Sequence, residues 1–409
     1  MPKKTTAEYN ENKNLPEINI GLVGHVDHGK TTLTERLTGK WTDTHSEEMK
    51  RGITIRLGYA DATFYYCKKC KSYSNSKKCP KCFEDGEISR TVSFLDAPGH
   101  ESLMATVLGA TALMDGALLL ISVDEKCPQP QTAEHLQALN SAGIEKIIIV
   151  QNKIDAVSAE KAEEHYEQIK QFVKGTVAEN SPVIPVSAIY GANIDMLIET
   201  IENYIPTPKR EIYASDRFYV ARSFDVNKPG AKISELKGGV LGGSVVTGTF
   251  EKGDEIIISP GLKINEKYEI LKTKISNIVQ KNQNLNKTHP GGLIAIETSL
   301  DPSLSKGDGL AGNIVSHSRS VPEIYGKIKI SYELFGSTSS KKIDSLKTGD
   351  ALLITSGISR SIGIIKSLKK KIFEAELKIP IAADKGNQVA ISKQINGRWH
   401  LIGTGRIEG

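Results

Sequence analysis

A short stretch dominated by strand formers, Ile18-Asn-Ile-Gly-Leu-Val23, runs directly into Gly24-His25-Val26-Asp27-His28-Gly29-Lys30-Thr31. The octet fits G-x-x-x-x-G-K-[ST], and a helix is predicted to begin near Lys30, so the chain must build a strand–loop–helix unit on a sheet. Glycines let main-chain N–H groups turn inward around an anion, and the helix N-terminus adds favourable dipole charge. Lys30 is then placed to neutralise β- and γ-phosphates, and the Thr31 hydroxyl to ligate Mg²⁺. The bare pattern arises by chance in roughly one chain in a hundred of this length. Its placement between strand and helix separates it from an idle glycine-rich turn.

Further elements follow in a consistent order. Asp96-Ala-Pro-Gly-His100 closes a predicted strand: Asp96 would hold Mg²⁺ through water, and the Gly99 N–H would reach the γ-phosphate. Asn152-Lys153-Ile154-Asp155 closes another strand, where an open α/β sheet places its ligand. The Asp155 carboxylate can accept from guanine N1–H and the exocyclic amine, whereas adenine would leave it unpaired. Ser187, Ala188 and Ile189 follow the next strand and can offer a main-chain N–H to guanine O6, while Asp27, His28, Gly29 and Thr32 complete the phosphate-side set. Thr54, in Lys50-Arg-Gly-Ile-Thr-Ile55, would ligate Mg²⁺ only when the γ-phosphate is present, which makes its loop a switch. In isolation it would read as a strand residue. His100 is the candidate for orienting the attacking water; no arginine finger is identifiable, so slow intrinsic hydrolysis accelerated by a partner is expected. Each short motif is weak alone. In this order they specify GTP or GDP with Mg²⁺, and a GTP hydrolase.

The first half alternates apolar runs with helix-like stretches, as βαβ units do. Strands are expected at Ile18–Val23, Thr91–Leu95, Ala117–Val123, Lys146–Gln151 and Val183–Val186, with helices over Glu101–Met114, Gln131–Ala142, Ala159–Val173 and Asn193–Tyr204. Ile205-Pro-Thr-Pro-Lys-Arg210 reads as a linker, because its two prolines prevent helix continuation. Beyond it, short β-branched runs separated by Gly, Pro, Asn and Asp point to antiparallel barrels or sandwiches. The predicted architecture is a P-loop α/β domain with a mostly parallel sheet and helices on both faces over 1–208, then two antiparallel β-barrel domains over 209–320 and 321–409.

Cys67-Lys-Lys-Cys70 and Cys79-Pro-Lys-Cys82 form C-x₂-C-x₈-C-x₂-C inside an insertion spanning about 64–90. Two knuckles supply four thiolates with tetrahedral reach, which suits structural Zn²⁺; reduced unligated thiols are the next reading and disulfides the last. The insertion is poor in apolar residues, so a metal would supply the stability it lacks. Cys127 stands apart and is expected to be inert.

The polar start of the chain lacks the apolar core of a secretory signal, and no run is long enough to span a bilayer, so a cytoplasmic protein without membrane association is expected. Net charge is only +5, but residues 321–409 carry fifteen Lys+Arg against eight Asp+Glu, leaving the preceding 320 at −2. A basic final third suits a phosphate-rich partner such as RNA, and equally a solvated charged face.

The motifs together resemble the translational GTPases related to elongation factor Tu, and over nearly the whole length the gamma-subunit family of archaeal translation initiation factor 2. The resemblance is carried by Gly24–Thr32, Ser46–Ile55, Asp96–Glu101, Ala112–Ala117, Pro128–Thr132, Ser223–Gly230 and the terminal Gly397-Arg-Trp, with the cysteine insertion between the switch loop and Asp96 as the best discriminator. It implies a heterotrimer with alpha and beta subunits that carries initiator methionyl-tRNA to the small ribosomal subunit. It also implies a second Mg²⁺ site using Asp27 and the Gly52 carbonyl. Competing readings are an elongation or selenocysteine-specific carrier, a metabolic regulatory GTPase such as the partner of sulfate adenylyltransferase, and a binding subunit with vestigial hydrolysis.

Overall fold

The computed structural model describes residues 14–42, 54, 56–230, 232, 235–335 and 345–409. In the first domain a seven-stranded sheet runs in the order β3 (Ser72–Ser74), β2 (Gly58–Cys67), β4 (Glu87–Asp96), β1 (Pro16–Gly24), β5 (Gly116–Ser122), β6 (Ile147–Asn152), β7 (Val183–Pro185). From β4 to β7 neighbours are parallel, and β2 and β3 pair antiparallel at the edge. Every residue of β5 is buried, which is what a strand covered on both faces requires. Ala117, Leu119 and Ile121 pack with Met104, Val107 and Leu139 on one side, and Leu118 and Leu120 pack with Leu33, Leu197 and Ile201 on the other. Those partners come from α2 (Met104–Thr111) and α3 (Pro130–Ser141) on the first face, and α1 (Lys30–Thr38) and α5 (Ile194–Tyr204) on the second. Also on the first face is α4 (Ala159–Val173), through Ile169 and Val173.

One expectation is corrected. The stretch Glu101–Met114 is not one helix: a 3₁₀ turn over Glu101–Leu103 precedes α2, which ends at Thr111. Leu103 has φ −105° and ψ 10°, outside the helical well, and breaks the run.

The linker is held down rather than loose. Ile205 is fully buried, and Arg210 grips both Asp115 oxygens at 2.7 Å while donating to the Glu17 carbonyl. Beyond it, β8 (Arg217–Phe224), β9 (Val240–Thr247), β10 (Glu255–Ile264), β11 (Lys267–Gln280), β13 (Ile294–Thr298) and β14 (Ile314–Ser316) form a six-stranded barrel, in the order β10-β14-β8-β9-β13-β11 and closed by β10–β11 pairing. The short β12 (Gln283–Leu285) extends β11. The second barrel is built from β15 (Glu323–Leu334), β16 (Ala351–Ser356), β17 (Ser359–Lys369), β18 (Ile372–Ala383), β19 (Gln388–Ile395) and β20 (Arg398–Ile407), and closes in the order β15-β18-β17-β16-β19-β20. Closure removes the free edges that a sandwich would leave.

The three units share surfaces. Ile358 and Leu401 of the second barrel join the apolar cluster of α2 and α3, and His400 Nδ1 lies 2.8 Å from Glu134 Oε1. At the start of β8, Arg217 donates to both Asp384 oxygens in the second barrel and to the Ser320 carbonyl in the connector between barrels. Among the described residues, no helix is long and apolar enough to cross a membrane.

Candidate nucleotide site and cysteine cluster

The loop Gly24–Thr31 joins β1 to α1 at the C-terminal ends of the parallel strands, where open α/β sheets bind ligands. Two glycines are there because nothing larger fits. A Cβ on Gly29, which has φ +88°, would fall 2.3 Å from Asn152 Nδ2, and one on Gly99 would fall 2.4 Å from Lys30 Nζ. The second distance places Asp96–Gly99 against the loop lysine. Lys30 itself is buried, its ammonium donating to the Gly24 and His25 carbonyls at 3.1 and 2.6 Å. The concave main chain, with a lysine at its floor, fits a polyphosphate.

Thr31 and Thr54 are brought together: their hydroxyl oxygens are 3.2 Å apart. Asp96 is fully buried at the end of β4 and accepts from the Thr42 hydroxyl at 2.7 Å. Two hydroxyls and a carboxylate around the loop are hard oxygen donors of the kind Mg²⁺ selects. Asp27 is exposed and left-handed at φ +60°; Gly52, its expected partner, lies outside the described residues, as does most of Ser46–Ile55. His100 is turned onto Ser102, with Nδ1 2.8 Å from the hydroxyl.

On the base side, Asn152 is a brace. It donates to the His28 carbonyl at 2.9 Å and accepts from the Ala188 N–H at 3.1 Å, joining the phosphate loop to the Ser187–Ile189 loop. Arg36 holds the Ala188 and Ile189 carbonyls from α1. Lys153 is left-handed, and its ammonium sits 3.1 Å from Asp124, while Asp155, two residues on, is exposed. The His28 imidazole points inward, to the Leu120 carbonyl at 2.9 Å and Glu125 at 3.3 Å, and burial holds its pKa below the usual value.

Sequence reasoning missed three supports. His135 of α3 is fully buried and accepts from the Gly24 N–H at 2.8 Å; burial lowers its pKa to about 3, so the ring is neutral. Thr42 and Arg36 were the others. None belongs to a fixed-spacing motif, so only the fold reveals them.

The four cysteines converge at the far end of β2. Their sulfurs all lie within 4.8 Å of one another, with Cys67 and Cys82 at 3.5 Å. Tetrahedral thiolates at ~2.3 Å from Zn²⁺ sit ~3.8 Å apart, so the set is compatible with structural zinc. Each knuckle turns through a left-handed residue, Lys71 and Phe83, and no disulfide links the thiols. Main-chain N–H groups of Cys82 and Lys81 lower the Cys79 thiol to about 6, whereas hydrogen bonding with Cys82 pushes the Cys70 thiol up to about 12, so one sulfur of the set favours the thiolate and another holds its proton. The insertion is docked on the body: Asn75 donates to the Arg36 and Leu37 carbonyls at the end of α1, and Lys81 pairs with Asp195 at 3.1 Å. Cys127 is buried and its thiol is pushed up to about 12 by burial, consistent with inertness.

Residues 15–207 match the family described as elongation factor Tu GTP binding domain, and residues 326–407 match initiation factor eIF2 gamma, C terminal. Translation initiation factor 2 subunit gamma of Methanocaldococcus jannaschii is 53% identical over 401 residues, covering 96% of this chain and 98% of that protein. The protein of the same name from Pyrococcus horikoshii is 50% identical over 400 residues, covering 96% and 97%. This chain belongs to the translation initiation factor 2 gamma-subunit family. Membership makes it a translation initiation GTPase, a GTP hydrolase that uses Mg²⁺. Among solved structures, a bacterial selenocysteine-specific elongation factor is similar at TM-score 0.74 and 25% identity; the match covers 95% of this chain and 58% of that one. The translation elongation factor SelB of Methanococcus maripaludis, in complex with a GTP analogue, shares the fold at TM-score 0.71 and 21% identity, covering 97% and 79%. The chain spans 98% and 97% of the length of these two gamma-subunit relatives, and 58% and 79% of the length of the two elongation factors.

Proposed function

We propose that this chain is the GTP-gated core of a heterotrimer with alpha and beta subunits, carrying initiator methionyl-tRNA to the small ribosomal subunit in the cytoplasm. The observation that carries the gating is the 3.2 Å contact between Thr31 and Thr54, because it puts a residue of the switch segment on the hydroxyl expected to ligate the metal. In this reading Lys30 neutralises the β- and γ-phosphates, Thr31 and Thr54 ligate Mg²⁺ directly, Asp96 holds it through water, and Gly99 gives its N–H to the γ-phosphate. Asp27 and the Gly52 carbonyl hold the second Mg²⁺. Bound Mg²⁺ neutralises charge on the phosphates. Asp155 pairs with guanine, Asn152 and Lys153 frame it, and Ser187–Ile189 supply main-chain N–H groups. With its side chain turned inward, His28 contributes main chain to the phosphate cradle, beside Gly29 and Thr32. His100 swings from Ser102 to orient the attacking water. Zn²⁺ is held by Cys67, Cys70, Cys79 and Cys82 in a structural role. The domain limits are those drawn from composition, 1–208, 209–320 and 321–409.

A cleft of about 440 Å³ between the first domain and the first barrel supports the RNA-carrier reading. Tyr59, Lys40, Lys281 and Arg222 line it, and an aromatic face among cations is the chemistry that holds a single-stranded nucleotide end. The test is filter binding of the full chain to initiator methionyl-tRNA and elongator methionyl-tRNA, each with GTP or GDP. Tight binding of the initiator species with GTP alone is expected; equal retention of all four combinations rejects the proposal.

A further inference from the structure

We infer that Asp308 is the positioning residue through which the Thr54 segment reports the bound nucleotide to the first barrel. The inference rests on the switch reading of Thr54 and goes beyond it by naming the receiver.

The two oxygens of one carboxylate are divided between two guanidinium groups from different domains. Arg56, two residues after Thr54, places Nη1 3.0 Å from Asp308 Oδ2. Arg222 of β8 donates Nε to Oδ1 at 2.9 Å, and the Ser223 N–H donates to that same oxygen at 3.1 Å. Arg222 also donates to the Leu57 carbonyl at 3.4 Å, so the segment leaving the switch is held at a side chain and at a main-chain oxygen. The Asp308 and Arg222 side chains are only 19% and 18% exposed, which limits solvent screening. The backbone at Asp308 is left-handed, at φ +64°, following Gly307 at φ +63°. This conformation aims the carboxylate and is one that Asp and Asn tolerate better than other L-residues.

Thr54 and Arg56 are separated by about 7 Å of chain at most. A movement that draws Thr54 to or from Thr31 therefore repositions Arg56 and Leu57, while Asp308, Arg222 and Ser223 stay with the barrel. Arg56, Ser223 and Lys306 line an open cleft of about 580 Å³, and Leu57 and Arg222 line the cleft proposed for the RNA end. The carboxylate holds Arg56 on the first cleft and Arg222 on the second, so remaking its contacts shifts a lining residue of each. Coupling of this kind is reciprocal: a contact made only in the triphosphate state must strengthen triphosphate binding.

The experiment measures affinities of the full chain, with Mg²⁺, for a non-hydrolysable GTP analogue and for GDP. Asp308→Asn keeps the left-handed backbone and the Ser223 hydrogen bond but removes the charge. It is expected to weaken the GTP analogue by about three- to tenfold and to leave GDP within about twofold. Arg56→Met should do the same, and the double variant should be no worse than either single. Equal losses for both nucleotides, no loss, or additive losses overturn the assignment. Thr54→Ala separates the two layers. A triphosphate-selective loss there without one in Asp308→Asn removes only the relay, and its absence in Thr54→Ala removes the switch reading and the relay with it.

Discussion

The main-chain N–H of Gly24 donates to Nδ1 of His135 across 2.8 Å, a bond spanning 111 residues between the head of the phosphate loop and the middle of α3. An imidazole that accepts here must be neutral at Nδ1, and its complete burial, the largest cause of its lowered pKa, keeps it so.

The sign of the resulting pH dependence follows. Folded His135 titrates near 3 and the unfolded residue near 6.5, so its contribution is complete above about 6.5 and is lost as pH falls towards 3. The slope is at most about 1.4 kcal/mol per pH unit. His28 and His165, lowered chiefly by burial, act in the same direction. Urea unfolding of wild type and His135→Leu at pH 7.5 and 5 should show a shallower acid loss in the variant. The variant should also lose about 1–3 kcal/mol at pH 7.5 from the unsatisfied Gly24 N–H. Identical pH slopes would remove His135 from this role.

Asp155→Asn converts an acceptor-only carboxylate into an amide. Guanine affinity is expected to fall by roughly a hundredfold or more, with preference moving to xanthine nucleotides. Competition binding with GTP and XTP decides it, and unchanged guanine selectivity would refute the assignment.

Metal analysis of purified chain is expected to find about one zinc, lost together with any one of the four thiolates, for instance in Cys82→Ser. Because Asn75 caps the last carbonyls of α1, chelation should also increase amide exchange in that helix's final turn. Stoichiometric zinc with an unaffected α1 would confine the metal's influence to the insertion. Absence of zinc would leave the sulfur cluster without its ion.

Arg90 of β4 pairs with Glu202 of α5, with Nε donating to Oε1 at 2.7 Å and both side chains at least nine-tenths buried. Arg90 also donates to the Ile201 carbonyl at 3.1 Å, tying α5 to β4. Removing one member strands the other, so Arg90→Met should destabilise the chain by about 3–5 kcal/mol. The pairwise replacement Arg90→Met with Glu202→Met should recover part of that loss, as read from denaturant midpoints.

The phosphate loop, the strand-end motifs and the parallel strands are readable in the sequence because each rests on a local constraint: a fixed residue spacing, or an apolar run such as Gly116–Ser122. The antiparallel strand β2 escapes such a reading. Its alternating burial places Ala60, Ala62 and Phe64 inward between Tyr59, Asp61 and Thr63, and two of the three inward residues are small enough to look like loop. His135 sits in an amphipathic helix where a histidine has no distinguishing pattern, and its partner is 111 residues away. Asp308 is harder still, since its meaning comes from a left-handed backbone and from two arginines on other elements. The break between Leu103 and Met104 has no proline or glycine to announce it.

Arg217 has a final consequence. Its guanidinium fastens the root of the first barrel to Asp384 and to the connector at Ser320, so the two barrels are clamped together where the chain passes from one to the other.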